Sequence, residues 1–118
     1  VYNGRIDAAN REGRNLQIYW PGGIYDLDYW VIPKGAANKD LAMKYIATAS
    51  SADAQTEYAR LISYGPTNNK ALAKLDQKVL GMLPTSPANS KDALQFNIKF
   101  WADQGEELEK RFASWAAK

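Results

Sequence analysis

Alternating apolar and polar residues mark two strands near the start of the chain. In residues 16–20 (LQIYW), every second side chain is a large apolar one, which predicts a half-buried strand. A Pro-Gly-Gly turn follows at 21–23, and the apolar-rich run 24–32 predicts a second strand that Pro33 ends. Residues 1–3 also read as the end of a strand.

Helical spacing and capping residues predict that most of the remaining chain is helical. Asn38, Ser51, Asn68 and Asn97 are residue types that favour helix starts. The predicted helices are 4–12, which Gly13 stops, then 39–49, 52–62, 69–75, 76–80 and a last helix that follows Asn97.

Apolar side chains in these helices are expected to form the core. The stripe predicted for 39–49 is Ala42, Tyr45, Ile46 and Ala49. The last helix carries large side chains that are most simply core, and Gly105 is expected to kink or divide it. They are Phe100, Trp101, Leu108, Phe112 and Trp115. Residues 64–67 (YGPT) predict a turn, and 83–89 (LPTSPAN) predict an irregular connector.

The predicted order of elements is unusual for a free-standing domain. Two or three strands come first and several helices follow, so a small sheet would have to cover many helices. The pattern therefore predicts the C-terminal portion of a larger α/β protein. We expect either a missing N-terminal portion or self-association to cover the remaining surface.

Composition excludes several function classes. The 118 residues carry a net charge of only +2 with no basic run, which argues against a nucleic-acid partner. The chain has no cysteine and no histidine, so a Ser-His-Asp hydrolase or a thiolate metal site cannot be built from it. No apolar run approaches the roughly 20 residues of a membrane span. We expect a non-enzymatic protein without a cofactor or a structural metal.

The second predicted strand carries the first candidate binding residues. Residues two apart on a strand share a face, so Asp26, Asp28 and Trp30 would line one side. Two carboxylates beside an indole suit an ammonium ligand, through charge-assisted hydrogen bonds and a cation–π contact. The competing interpretation is a solvent-facing strand whose acidic residues point to water while Trp30 covers a helix.

Two turns supply further candidates. Tyr64 precedes a Gly-Pro turn and would either present its hydroxyl to a ligand or lie buried in a rigid connection. Tyr2 begins a YNGR turn at the predicted start of a helix. Helix starts favour anions, but a single glycine is too weak a signal for a phosphate loop.

Three strings of the sequence resemble a known family. WVIPKGAANKDLAMKYI, then YGPTNNKAL, then LPTSPAN are similar to the C-terminal part of periplasmic spermidine/putrescine-binding proteins, the solute receptors of ABC importers. The resemblance covers essentially the whole chain. It implies a type II periplasmic-binding fold, in which two α/β lobes close over a ligand. Residues 1–32 would end the second lobe and cross the hinge, and residues 33–118 would complete the first lobe.

The resemblance also implies ligand contacts. Tyr2 would stack on the methylenes of the ligand, Asp28 would bind an amine, and Tyr64 matches a tyrosine of the family. Gln95 or Asn97 would supply a polar contact near the last helix.

Two departures from the family pattern concern the acidic residues. Asp26 replaces an aromatic residue of the family, and Gly22 or Gly23 replaces an acidic one. Asp26 and Asp28 would repel each other unless a cation lay between them.

The leading expectation is a periplasmic receptor for a polyamine-like or other cationic small molecule, working with a membrane permease. One alternative, with the same fold, is a receptor for an amino acid or an opine-like solute, for which Arg5 would bind a carboxylate. The other is a structural fragment that binds no ligand and self-associates.

Overall fold

A computed structural model describes all 118 residues, which form seven helices and two short strands. In chain order they are α1 Asn3–Arg11, β1 Ile24–Tyr25, α2 Lys39–Ala49, α3 Ala52–Ile62, α4 Asn69–Leu72, α5 Gln77–Gly81, α6 Pro87–Ser90, β2 Leu94–Gln95 and α7 Ile98–Ala116. No helix combines the length and the apolar character that crossing a membrane requires.

Local side-chain caps explain where several of the helices begin. Ser51 Oγ accepts a hydrogen bond from the backbone N–H of Ala54 at 3.2 Å, and Asn68 Oδ1 accepts one from Lys70 at 3.0 Å. Each bond satisfies a backbone donor that the first turn leaves free. Asn38 precedes α2 as predicted, although its side chain makes no capping bond.

The helix predictions need three small corrections. Helix α1 begins at Asn3, so residues 1–3 do not end a strand. Helix α4 ends at Leu72 rather than at residue 75. The connector predicted at 83–89 contains the start of α6, where Pro87 occupies the first turn, a position that does not need its missing N–H.

The strand predictions were wrong in extent. Residues 16–20 form no strand, and only Ile24–Tyr25 of the predicted run 24–32 pairs with another segment. Its partner is β2, which lies late in the chain rather than near its start. The pair is parallel, with hydrogen bonds from Leu94 N to Gly23 O (2.9 Å) and from Phe96 N to Tyr25 O (2.8 Å). An alternation of apolar and polar residues indicates that a segment suits a strand with one buried face. It does not show whether a neighbouring strand is present to pair with it.

The buried core is small and lies where α3, α4 and α5 meet. Ala59, Leu75 and Leu83 form its centre, and Leu72, Val79 and Leu80 pack against them. In α2 the predicted stripe is only half-buried, and Tyr45 is 60% exposed. The prediction of a buried Tyr45 was therefore wrong, because a ring contact with Trp30 covers only part of the side chain.

Helix α7 departs most from the expected packing. It runs unbroken from Ile98 to Ala116, so Gly105 neither ends nor divides it. Its large aromatic side chains are exposed rather than core: Phe100, Trp101, Phe112 and Trp115. An amphipathic helix stays exposed on its apolar side when the surface that it would cover is missing.

The molecule is open for its length. Only 8 of 118 residues are buried, and the radius of gyration is 17.5 Å, whereas a compact domain of this length would have one of about 13.5 Å. This shape agrees with the expectation that further protein surface covers the chain.

Candidate functional site

Two candidate residues, Asp26 and Asp28, follow the carboxyl end of β1. Because β1 and β2 are parallel, both strands end at one edge of the sheet, which we call the strand edge (residues 26–28 and 96–97). Asn97 lies on the same edge after β2. In open α/β sheets ligands bind beyond the carboxyl ends of the strands, so the topology places Asp26, Asp28 and Asn97 at a position suited to a ligand.

The two carboxylates at the strand edge are exposed and take part in no ion pair. Asp26 Oδ1 accepts a hydrogen bond from the backbone N–H of the next residue, Leu27, at 2.8 Å. That bond leaves the second carboxylate oxygen of Asp26 available. Both side chains can therefore accept hydrogen bonds from an ammonium group.

Asn97 already has a structural task. Its Oδ1 accepts a hydrogen bond from Phe100 N at 2.9 Å and caps α7. The amide nitrogen makes no hydrogen bond within the chain and remains for a ligand. The sequence predicted both the cap and the site candidate at this residue, and the two roles use different atoms.

Trp30 is turned toward a helix. Its ring meets that of Tyr45 in α2 edge-on, with centroids 5.5 Å apart and planes at 83°. Asp26, Asp28 and Trp30 do not share the face of a paired strand as predicted, because the strand ends at Tyr25. The contact with α2 agrees with the competing interpretation, in which Trp30 covers a helix.

The other candidates gather at the start of α1. A Cβ on Gly4 would lie 2.7 Å from Tyr64 Cε1 and 2.8 Å from Ile62 O, so this approach requires glycine. The ring of Tyr64 thus packs beside the helix start, two residues from Tyr2. The structure thus places Tyr64 against the first turn of α1, whose N-cap residue is Tyr2, although 62 positions separate the two tyrosines in the sequence.

Arg5 is the free cation of this region. Its guanidinium carbon lies 5.6 Å from the centroid of the Tyr2 ring, a cation–π geometry. Arg5 pairs with no carboxylate of the chain. We call Tyr2, Arg5 and Tyr64 the helix-start group.

Sequence reasoning missed the residues that hold the helix-start group in place. Asn3 Nδ2 donates to the carbonyl oxygens of Ser63 (2.5 Å) and Met82 (2.8 Å). Ser63 Oγ donates to Asp7 Oδ2 at 2.6 Å. A local sequence pattern cannot predict hydrogen bonds between residues that lie 56 to 79 positions apart. The only hint was the place of Asn3 inside the YNGR turn.

The strand edge and the helix-start group do not form a closed cavity. No hydrogen bond, ion pair or ring contact joins them. A small cavity of about 30 Å³ lies beside β1, but none of the candidate binding residues lines it. Nowhere do three or more acidic side chains gather as a metal site would require. The arrangement is that of an open surface offering acceptors at one place and a cation at another.

Comparison with known proteins identifies the family. The sequence pattern of bacterial extracellular solute-binding proteins matches residues 1–88. The chain belongs to this family.

Two characterised relatives differ in their ligands. The chain is 50% identical, over all of its 118 residues and 34% of the relative, to a gamma-aminobutyric acid-binding protein of Pseudomonas aeruginosa. It is 40% identical, over 77 residues, to a spermidine/putrescine-binding periplasmic protein of Salmonella typhimurium, covering 64% of this chain and 22% of that one. The chain thus spans about a third or less of these relatives.

Two solved structures share the fold. One is the periplasmic binding protein AgtB from A. tumefaciens R10 in complex with agropinic acid, with a TM-score of 0.75 and 39% identity over 98% of this chain and 37% of that one. The other is an ABC transporter substrate-binding protein from Bradyrhizobium japonicum, with a TM-score of 0.74 and 30% identity over 95% and 36%. They confirm the predicted fold class. All these proteins bind solutes, which confirms the non-enzymatic prediction.

Proposed function

We propose that this chain is part of a periplasmic receptor of an ABC importer that binds a small solute carrying both an ammonium and a carboxylate group. The observation that carries the proposal is that the chain offers free charges of both signs among its candidate residues. Unpaired carboxylates lie at the strand edge, and an unpaired guanidinium lies in the helix-start group. A polyamine has no group for Arg5, whereas an amino acid has one.

Asp28 is the proposed partner of the ammonium group. It follows a parallel strand at the edge where ligands bind in such sheets, and no cation of the chain neutralises it. Asp26 would supply a second acceptor through its free oxygen. Placing an ammonium between the two carboxylates would also relieve their mutual repulsion.

Arg5 is the proposed partner of the carboxylate group. Its planar guanidinium can donate two parallel hydrogen bonds to one carboxylate. Tyr2 orients the guanidinium through the ring contact. Tyr2 and Tyr64 would also line the methylene portion of the solute, and the Asn97 amide would add a hydrogen bond. Trp30 is a weaker candidate for a solute contact because its ring already contacts Tyr45.

The names of the relatives support this choice. The gamma-aminobutyric acid-binding relative matches the entire chain at 50% identity, and agropinic acid occupies a structural neighbour. The spermidine/putrescine-binding relative matches 64% of the chain. A polyamine therefore remains the second candidate, favoured by the two adjacent carboxylates Asp26 and Asp28.

The lobe assignment is part of the same proposal. Residues 1–32 would end one lobe and cross the hinge, and residues 33–118 would complete the other, with the closed form presented to a membrane permease. Under this division the hydrogen bonds of Asn3 to Ser63 and Met82 would join the two lobes. The rest of both lobes would come from residues outside this chain.

Charge-removing variants test the proposal. Calorimetry on a full-length protein that carries this chain would compare gamma-aminobutyrate with putrescine. Asp28→Asn should weaken the binding of gamma-aminobutyrate by roughly 1.5–3 kcal/mol, the usual worth of a hydrogen bond to a charged group. Arg5→Gln should weaken it by a similar amount and leave any binding of putrescine unchanged.

Arg14→Gln is the matched control, because Arg14 is exposed and forms no ion pair. This variant removes the same charge outside the helix-start group. If Arg5→Gln binds gamma-aminobutyrate as tightly as Arg14→Gln does, Arg5 is not the carboxylate partner. If Asp28→Asn retains full affinity, Asp28 is not the amine partner.

A further inference from the structure

The start of α1 is clamped to two distant segments by a single side chain. Asn3 Nδ2 donates to Ser63 O at 2.5 Å and to Met82 O at 2.8 Å. Both hydrogens of the amide are therefore used. Asn3 lies between Tyr2 and Gly4, and Ser63 immediately precedes Tyr64. The hydrogen bond from Asn3 to Ser63 therefore links the segment that carries Tyr2 and Arg5 to the segment that carries Tyr64.

Ser63 is held in an unusual backbone conformation. Its φ of 53° lies in the left-handed region, which is uncommon for a residue with a side chain. It is only 3% exposed. Its hydroxyl donates to Asp7 Oδ2 at 2.6 Å, and Arg11 forms an ion pair with the same carboxylate oxygen at 2.7 Å.

These contacts determine where Tyr64 lies relative to α1. Ser63 ends α3 as its C-cap residue, and its conformation sets the direction in which the chain leaves toward Tyr64. The Tyr64 ring then meets Gly4 so closely that no Cβ fits there. Asn3 and Asp7 touch Ser63 from one side of α1, whereas Tyr2 and Arg5 contact each other at its first turn.

We propose that Asn3 and Asp7 are positioning residues that fix Arg5 and Tyr2 relative to Tyr64. They would thereby align the carboxylate-binding end of the site without touching the solute. This inference rests on the proposed function. It adds that the helix-start group works only while α1 stays clamped to Ser63 and Met82.

Energetic coupling between Asn3 and Arg5 tests the role. Isothermal titration with gamma-aminobutyrate on the full-length protein would compare Asn3→Ala, Arg5→Gln and the double variant. Asn3→Ala should weaken binding at least about tenfold, because Arg5 would lose its place. Arg5→Gln should then have less than about a threefold further effect in the Asn3→Ala background, since contacts that depend on each other do not add.

Asn10→Ala is the matched control within the same helix. Asn10 also makes two side-chain hydrogen bonds, to the carbonyl oxygen and the amide of Leu16 at 2.9 and 2.8 Å. It lies at the far end of α1 and does not contact Ser63. Its loss should leave the affinity within about twofold of the parent, and the effect of Arg5→Gln should be undiminished in its background.

Two outcomes separate the inference from the proposed function. If the parent protein binds gamma-aminobutyrate and the losses of Asn3→Ala and Arg5→Gln multiply fully, Asn3 acts only on stability and the positioning role is overturned. If the parent protein does not bind gamma-aminobutyrate at all, the proposed function fails and the inference falls with it.

A milder variant guards against misfolding. Asp7→Asn keeps the shape of the side chain but removes the charge that pairs with Arg11. If Asn3→Ala does not fold, Asp7→Asn should show the same coupling with Arg5→Gln in weaker form, and full additivity there would overturn the role.

Discussion

Asp53 shows how one exposed residue responds to a single neighbour. It forms an ion pair with Lys74, which follows α4, and so links α3 to that segment. The hydrogen bond from Lys74, aided by its charge, holds the pKa of Asp53 below its ordinary value. Because the folded-state pKa is lowered, the pair stabilises the fold above the ordinary pKa of aspartate. That stabilisation is lost as the pH falls through the lowered pKa.

Removing Lys74 should raise the pKa of Asp53 toward its ordinary value. The measurement is an NMR titration of the Asp53 carboxyl in Lys74→Gln. Since the pair is exposed, added salt should also raise the pKa in the parent protein. Lys70→Gln is the control, because it removes a positive charge of α4 that makes no ion pair with Asp53. An unchanged titration in Lys74→Gln would contradict this account.

At the residue scale, the sequence could predict candidate binding residues but not the residues that hold them in place. Tyr2 and Tyr64 stood out because each begins or precedes a glycine-containing turn, and the structure places both at the start of α1. Asn3 and Asp7 could not be selected, because their partners lie 56 or more positions away. Trp30 was grouped with Asp26 and Asp28 by a strand periodicity that the chain does not maintain.

Helix α7 is the element whose local sequence conflicts most with its structure. Gly105 lies in its interior, where glycine weakens a helix through its extra backbone freedom. The helix nevertheless continues for 19 residues. A Cβ at Gly105 would meet only Trp101 Cε3, at an ordinary 3.6 Å.

Gly105→Ala should therefore stabilise the protein by roughly 0.5–1 kcal/mol. Urea unfolding of the full-length protein would measure the gain. Gly65→Ala provides the contrast, because a Cβ there would overlap the side chain of Thr85 and should destabilise. A Gly105→Ala variant that unfolds more easily than the parent would show that α7 needs the flexibility of glycine.

At the element scale, helices were easier to predict than strands for a physical reason. Ser51, Asn68 and Asn97 cap the turns that follow them, so the signal and its partner are neighbours in the sequence. A strand needs a partner elsewhere. Ile24 pairs with Leu94, 70 positions later, and nothing local marks Leu94–Gln95 as that partner.

The whole molecule is open and leaves much of its apolar surface exposed. Large apolar side chains of α2, α3 and α7 are exposed, and few residues are buried. The chain spans 34% to 37% of a relative and of two solved structures that match nearly all of it. We expect the other residues of a full receptor to cover these faces; self-association of the chain stays a prediction.

Calorimetry of the full-length protein with gamma-aminobutyrate and with putrescine distinguishes the two candidate kinds of solute. Arg5 gives a carboxylate-bearing solute an additional charged partner, which is typically worth about 1.5–3 kcal/mol. We therefore predict that gamma-aminobutyrate binds at least tenfold more tightly than putrescine. Tighter binding of putrescine, or no binding of gamma-aminobutyrate, would contradict it.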